Sequence, residues 1–270
     1  TTGETYSYAS VVRLEIPSGF VTIQDRIFRK DTGFTSLMTL KVPESVTSMG
    51  ERNFHESESI QEIELPNSLE DIATYLAAGV KSLRKVVMKG AVTIGAYAFQ
   101  SCSALEIVEW GDSLETIGKY AFDGCSALES VPMNDGITAI KERAFLNCTS
   151  LKSVYIPRNL TELGTSAFYG CTSLSGTVVI PETVTTLGDN TFQGCSSIEK
   201  AIIKGDTMSA NMFINCSKLS TLVLTKDIAT IGSNALSSVA NGNFLTIYTG
   251  NDPERLKTVN SISRFSTKNI

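Results

Sequence analysis

Apolar positions return in one frame along the chain. From Leu151 the frame reads Leu151, Val154 and Ile156, then Leu160 and Leu163, then Ala167-Phe168 and Cys171, and it restarts at Leu174. Leu-x-x-Val-x-Ile has the alternating period of a strand with one buried face. Pro157 follows, and a proline, which has no N–H to give a ladder, closes the strand. The segment Leu160-Thr-Glu-Leu163-Gly is a second short apolar stretch, predicted to form the opposite wall of a coil. Ala-Phe-x-x-Cys then reads as a tight corner, a short helical turn or an irregular one, that brings the chain back.

The corner repeats. Phe-x-x-Cys occurs at Phe99/Cys102, Phe122/Cys125, Phe145/Cys148, Phe168/Cys171, Phe192/Cys195 and Phe213/Cys216, with phenylalanine spacings of 23, 23, 23, 24 and 21 residues. Phe28, Phe54 and Leu236 hold the anchor position elsewhere. A fixed period in the twenties marks a solenoid, because one coil cannot bury its own core. Eleven face strands are predicted, near 12–16, 38–42, 61–65, 84–88, 106–110, 129–133, 152–156, 177–180, 201–203, 220–224 and 244–248. At one strand spacing per coil they give a continuous parallel sheet about 50 Å long. Two coils are irregular: Ala77 replaces the anchor, with Leu76 or Tyr75 filling the space, and Pro132 predicts a bulge or an early strand end. The expected organisation is an N-terminal edge segment at 1–10, a solenoid at 11–250 and a capping helix at 251–270, with Asp252 at its N-cap and Leu256, Val259 and Ile262 on its covering face.

The frame from Leu151 to Cys171, repeated between Val11 and Tyr248, resembles the BspA-like (treponemal-type) leucine-rich repeat family. The resemblance implies a right-handed horseshoe, so the expected fold class is an α/β leucine-rich-repeat solenoid with a parallel strand face and short helical or irregular corners. It also implies a cell-surface or secreted protein of anaerobic bacteria or protozoan parasites, with adhesion to host matrix proteins or other cells among the roles. The family brings no shared catalytic residues.

Charge narrows the partners. The net charge is -5 and the pI about 5.1, which disfavours nucleic acid and anionic membrane. No apolar run approaches the ~20 residues of a membrane span. The 270 residues begin at Thr1 without an export leader, so surface or secreted localisation rests on the resemblance. The partner expected is a protein or glycan ligand, a host matrix protein among the candidates.

Chemistry is thin. The six corner cysteines are all the cysteines in the chain. A linear ladder of them cannot converge on zinc, and parallel Cβ vectors hold neighbours too far apart for a relaxed disulfide. Buried free thiols filling a small apolar space are expected. His55 is the only histidine, and no P-loop, G-x-S-x-G or H-E-x-x-H motif occurs. No cofactor and no enzymatic activity are expected.

Binding is the remaining reading. Outward positions on the early strands carry mixed charge, as at Glu62 and Glu64. On the later strands Tyr155, Val179, Ile202 and Val223 form one apolar column, with Lys200 beside it and Phe244 and Tyr248 at its end. Such a stripe marks a contact surface, or it reflects only the fitness of β-branched residues for strands. The two functions that follow are an adhesion or interaction module and a scaffold holding a bacterial partner inside the cell or envelope.

Overall fold

The computed structural model describes residues 8–226, 228–239, 245–249 and 265–269. They wind into stacked coils of parallel strands, as the repeat frame requires. No α-helix occurs among the described residues, and Lys30–Thr32 is a single 3₁₀ turn. The expected α/β class is corrected to a solenoid of strands and turns.

Each coil contributes to two walls. On the face, Arg13–Glu15, Thr39–Lys41, Glu62–Glu64, Lys85–Met88 and Ile107–Trp110 make a first five-stranded ladder. Gly176–Ile180, Ile198–Ile203, Thr221–Leu224, Leu245–Thr249 and Phe265–Asn269 make a second. The opposite wall is built of two-residue strands, with Asp71–Ile72, Thr93–Ile94, Thr116–Ile117, Ala139–Ile140, Glu162–Leu163 and Thr186–Leu187 in one ladder. The glycine that ends several of these short strands has a steric reason. A Cβ on Gly188 would lie 2.0 Å from the Thr165 amide nitrogen, so only glycine lets the two coils approach there.

The corners are not helical. Two residues before each anchor the backbone is left-handed, with φ of 59° at Tyr97, 56° at Tyr120, 56° at Arg143 and 57° at Ser166. Two residues after it φ is positive again, at Ser101, Gly124, Asn147 and Gly170. Left-handed residues four apart break an α-helix and turn alternate N–H groups toward the next coil. Tyr97 N donates to the Lys119 carbonyl at 2.8 Å, Phe99 N to Ala121 at 2.8 Å and Ser101 N to Asp123 at 2.6 Å. The corner is thus a third ladder of inter-coil hydrogen bonds, closed within each coil by turns such as Cys102 N to the Phe99 carbonyl at 3.2 Å.

Inside the coil the anchors stack. Phe99, Phe122, Phe145, Phe168, Phe192 and Phe213 are fully buried, with successive ring centroids 5.3 to 5.8 Å apart. At 76–77 the usual Ala-Phe becomes Leu-Ala; both residues are fully buried, so the bulk sits one residue earlier. The six cysteines are buried free thiols. Small size is only half of what the position asks. Cys125 Sγ donates to the Phe99 carbonyl at 3.2 Å, Cys148 to Phe122 at 3.2 Å, Cys171 to Phe145 at 3.2 Å and Cys195 to Phe168 at 3.0 Å. Cys102 donates to Ala77 and Cys216 to Phe192 in the same way, at 3.1 Å each. A thiol fits because it is apolar in bulk yet has one proton for the carbonyl of the preceding coil.

The strand face is interrupted, which corrects the continuous sheet and the strands expected at 129–133 and 152–156. Pro132 cannot donate, and Met133 N turns to the Val131 carbonyl at 2.9 Å. The Pro132 carbonyl instead accepts from the Trp110 indole N–H at 2.8 Å. Single backbone bonds remain across the gap, Lys152 N to Glu129 and Ser175 N to Lys152, both at 3.0 Å. The wall ladder passes through the same coils unbroken. At the chain end, the capping helix expected at 251–270 lies mostly outside the described residues. The part that is described, Phe265–Asn269, is a strand in parallel register with Leu245–Thr249, whose open edge offers it unpaired backbone groups.

Phe145→Ala is expected to cost about 3–5 kcal/mol, since its ring has an anchor on either side. Urea unfolding measures this, and a loss below about 1 kcal/mol contradicts the stacked core.

Burial pushes the thiols of Cys102 and Cys216 up to about 12, and those of Cys125, Cys148 and Cys195 well above the ordinary 9.0. A folded value above the unfolded one gives stability that is fully present below about pH 9 and is lost as pH rises toward about 12. The thiol contribution to the urea midpoint should follow that window. Thiol titration at neutral pH should find few reactive groups in the native protein and six after unfolding. A count that stays near zero in denaturant without reductant would mean disulfides.

Candidate binding surfaces

The second face ladder sets side chains in rows by its register. Val179 pairs with Ile202, Ile202 with Val223, and Val223 with Tyr248. Alternation sends Val178, Ala201, Leu222 and Ile247 into the core and leaves the first row outward, where Val179, Ile202 and Val223 are half-buried against one another. In the next row Lys200 lies between Thr177 and Thr221, giving the column one charged neighbour. Tyr248 joins the column by backbone register, and Phe244 lies outside the described residues.

Tyr155 stands apart from that column. It belongs to the interrupted coils, is 45% exposed, and donates its hydroxyl to Asp135 Oδ1 at 2.5 Å. The Arg158 amide and Nε also bind Asp135, at 2.8 and 3.0 Å. These hydrogen bonds, the tyrosine's foremost, hold the Asp135 carboxyl below the usual carboxylate range. On the far side of the gap Ile107 is 48% exposed. The interruption therefore has one exposed large side chain within it and another on the strand that borders it.

The first ladder carries charge. Lys85 Nζ donates to Glu109 at 2.8 Å, and Lys41 lies 3.4 Å from Glu15. The hydrogen bond to Glu109 raises Lys85, and the same bond lowers Glu109. Exposed pairs of this kind add little stability and bear mainly on orientation and encounter.

Two further features were not read from the sequence. On the corner edge, Tyr75, Tyr97 and Tyr120 stack with centroids 4.6 and 4.8 Å apart, capped by the guanidinium of Arg52 at 4.6 Å and that of Arg143 at 5.2 Å. The signal was present, since all five stand two residues before an anchor. Nearer the N-terminus lies a cleft of about 800 Å³, lined by Arg29, Asp31, His55, Glu56, Glu58 and Lys81 with three hydroxyl residues between them. Its signal was a lapse of the repeat. Asp31 and Ser57 stand where later coils have cysteine, and Phe28 to Phe54 spans 26 residues, not 23.

What these surfaces offer chemically is contact, hydrogen bonding and charge. Among the described residues no group of three or more His, Cys, Asp or Glu side chains is placed to hold a metal ion, and no helix is long and apolar enough to cross a membrane.

A parallel-strand solenoid with a period in the twenties, leucine and isoleucine on its inner face and an open outer one, defines a leucine-rich-repeat protein. The profile of the BspA type leucine rich repeat region matches residues 3–129, 82–199 and 115–243, and the chain belongs to that family. Among solved structures, a leucine-rich repeat protein of T. pallidum is 28% identical, with a TM-score of 0.52 over 57% of this chain and 75% of that one. One from Bacteroides ovatus is 21% identical, with a TM-score of 0.56 over 96% of this chain and 84% of that one. One from Eubacterium ventriosum is 19% identical, with a TM-score of 0.51 over 85% and 77%. No match is found among curated protein sequences.

Tyr97→Asn separates stacking from backbone strain, because asparagine accepts the left-handed conformation more readily. With two aromatic contacts of about 0.5–1.5 kcal/mol each removed, a net loss of about 1 kcal/mol or more is expected in urea unfolding. A gain in stability would show that the tyrosine column strains the corner more than it binds it.

Proposed function

We propose that this chain is a non-catalytic binding module, secreted or held at a cell surface. It grips a protein partner with the second half of the strand face of a right-handed horseshoe. The observation that carries this reading is the contiguous outward column of Val179, Ile202 and Val223, set by strand register. A solvated face has no need of three adjacent aliphatic side chains, and a contact surface does. Lys200 would orient the partner, Tyr248 and Phe244 would anchor the C-terminal margin, and Tyr155 would form a separate contact across the interruption. Tyrosine suits that role because it supplies contact area with little entropy to lose. The surface location and the adhesive role rest on the family, whose resemblance implies them. A host matrix protein is the first partner to test.

The test immobilises the full chain and screens matrix proteins and cell extracts. Replacing both Ile202 and Val223 by Lys should preserve the fold by circular dichroism and melting, because both side chains point outward. It should weaken binding of the captured matrix protein by at least about tenfold, the loss of roughly 1.4 kcal/mol. Replacing Glu62 and Glu64 by Lys should alter mainly the salt dependence. Unchanged affinity in the first variant rejects the column as the contact surface.

A further inference from the structure

We infer that the cleft at Arg29, His55 and Lys81 is a second binding site, for a short uncharged glycan. It lies at the coils where the repeat departs from its own rule. The coil from Phe28 is longer than the later ones, and the neighbouring corner positions hold Asp31 and Ser57 rather than cysteine. Departures of this kind from an otherwise regular frame tend to fall at functional places. The volume, about 800 Å³, is that of a small-molecule site, and its lining residues are charged or hydroxyl-bearing side chains whose carbon stems leave apolar surface between the polar groups, a mixture that suits a sugar better than a purely apolar ligand.

Hydrogen-bond chemistry selects the ligand class. His55 Nδ1 lies 2.8 Å from the Ala78 carbonyl, which can only accept, so Nδ1 carries a proton and in the neutral ring Nε2 is the acceptor. The nearest carboxylate oxygen, on Glu56, is 3.8 Å from Nε2, beyond hydrogen-bond reach. The Nε–H of Arg29 is closed to solvent with Asp31 Oδ1 3.3 Å away, and the exposed 23% of the Arg29 side chain is what the guanidinium offers the cleft as a donor. The cleft therefore has a donor and an acceptor to satisfy, with carboxylates and a lysine close by. A ligand carboxylate would serve Arg29 but confront Asp31, Glu56 and Glu58. An ammonium group would be drawn to the carboxylates and could donate to His55, but it has no acceptor to offer Arg29. A hydroxyl both donates and accepts without net charge, and a pair of neighbouring hydroxyls can serve Arg29 and His55 together.

Saturation-transfer NMR on the full chain tests this. The neutral probes are maltotriose, cellotriose and chitotriose, with sialyllactose as an anionic probe and triglycine as a zwitterionic one. At least one neutral trisaccharide should bind saturably and shift the ring resonances of His55, which are unambiguous because the chain has one histidine. His55→Asn keeps a donor for the Ala78 carbonyl and removes the lone pair at Nε2. This variant and Arg29→Met should each weaken binding about tenfold, as expected for one lost hydrogen bond to a charged or buried group. Ile202→Lys should leave sugar binding unchanged, which separates this site from the strand face. Binding of sialyllactose or triglycine alone, failure of all three neutral sugars, or parental affinity in a folded His55→Asn protein overturns the proposal. If Arg29→Met does not melt like the parent, His55→Asn decides.

Discussion

Every element of this chain depends on contact with the next coil at one ladder spacing. A single coil has a strand, a two-residue wall and a corner, and none of the three can satisfy its backbone or cover its apolar side alone. Stacking solves both problems at once. The corner shows this most fully: the Phe99 amide is bonded to the Ala121 carbonyl above, and the Phe99 carbonyl accepts the thiol of Cys125. The same stack that satisfies the backbone brings Phe122 and Phe145 to a ring separation of 5.3 Å. Register is fixed because a slip of one residue would misplace the ring, the thiol and the left-handed residues together.

The frame was legible because it is written in side-chain type. Spaced Leu, Val and Ile, the Phe anchor and the proline stop all act through burial or a missing donor, and the sequence displays them directly. The corner was not legible in the same way. Ala-Phe-x-x-Cys has the i, i+3 spacing of a helical turn as well as that of chained β-turns. The choice is made by left-handed backbone at Tyr97, Tyr120 and Arg143, residues with no special preference for it. Only where a glycine or an asparagine occupies such a position, as at Gly124, Asn147, Gly170 and Asn190, does the sequence hint at the turn. The role of cysteine was half legible. Its size could be read, but its bond to a carbonyl in the preceding coil depends on a corner geometry that a helix would not have produced.

The candidate surfaces divide along the same line. The row of Val179, Ile202 and Val223 follows from strand period and repeat length, so it could be placed from residue spacing alone. Tyr155 looked like its first member because its coil keeps the leucine frame. The structure ties its hydroxyl to Asp135 and places it within the interruption. Pro132 announced that interruption. Its spread into the coil at 152–156 did not show, because a ladder strand needs a partner on its neighbour and the fault lies next door. The cleft was hidden for another reason. Asp31 and Ser57 read as decay of a repeat, and only the folded coil shows that they open space beside His55 and Arg29.

That the strand face can lapse while the stack continues says how load is divided. Through residues 129–156 the face ladder is reduced to isolated bonds, yet Thr116–Ile117, Ala139–Ile140 and Glu162–Leu163 remain paired. Phe122, Phe145 and Phe168 stay stacked across the same coils. A few ladder bonds at about 1 kcal/mol each are small beside that continuous core, and the released groups lie toward solvent. The frame therefore resides in the corner, the core column and the short wall, and the outer face is free to differ from coil to coil. It bears paired charges before the interruption and aliphatic side chains after it without altering the stack. Separation of frame from face lets one repeat carry unrelated surfaces, and it places the search for partners on side chains that the fold itself does not require.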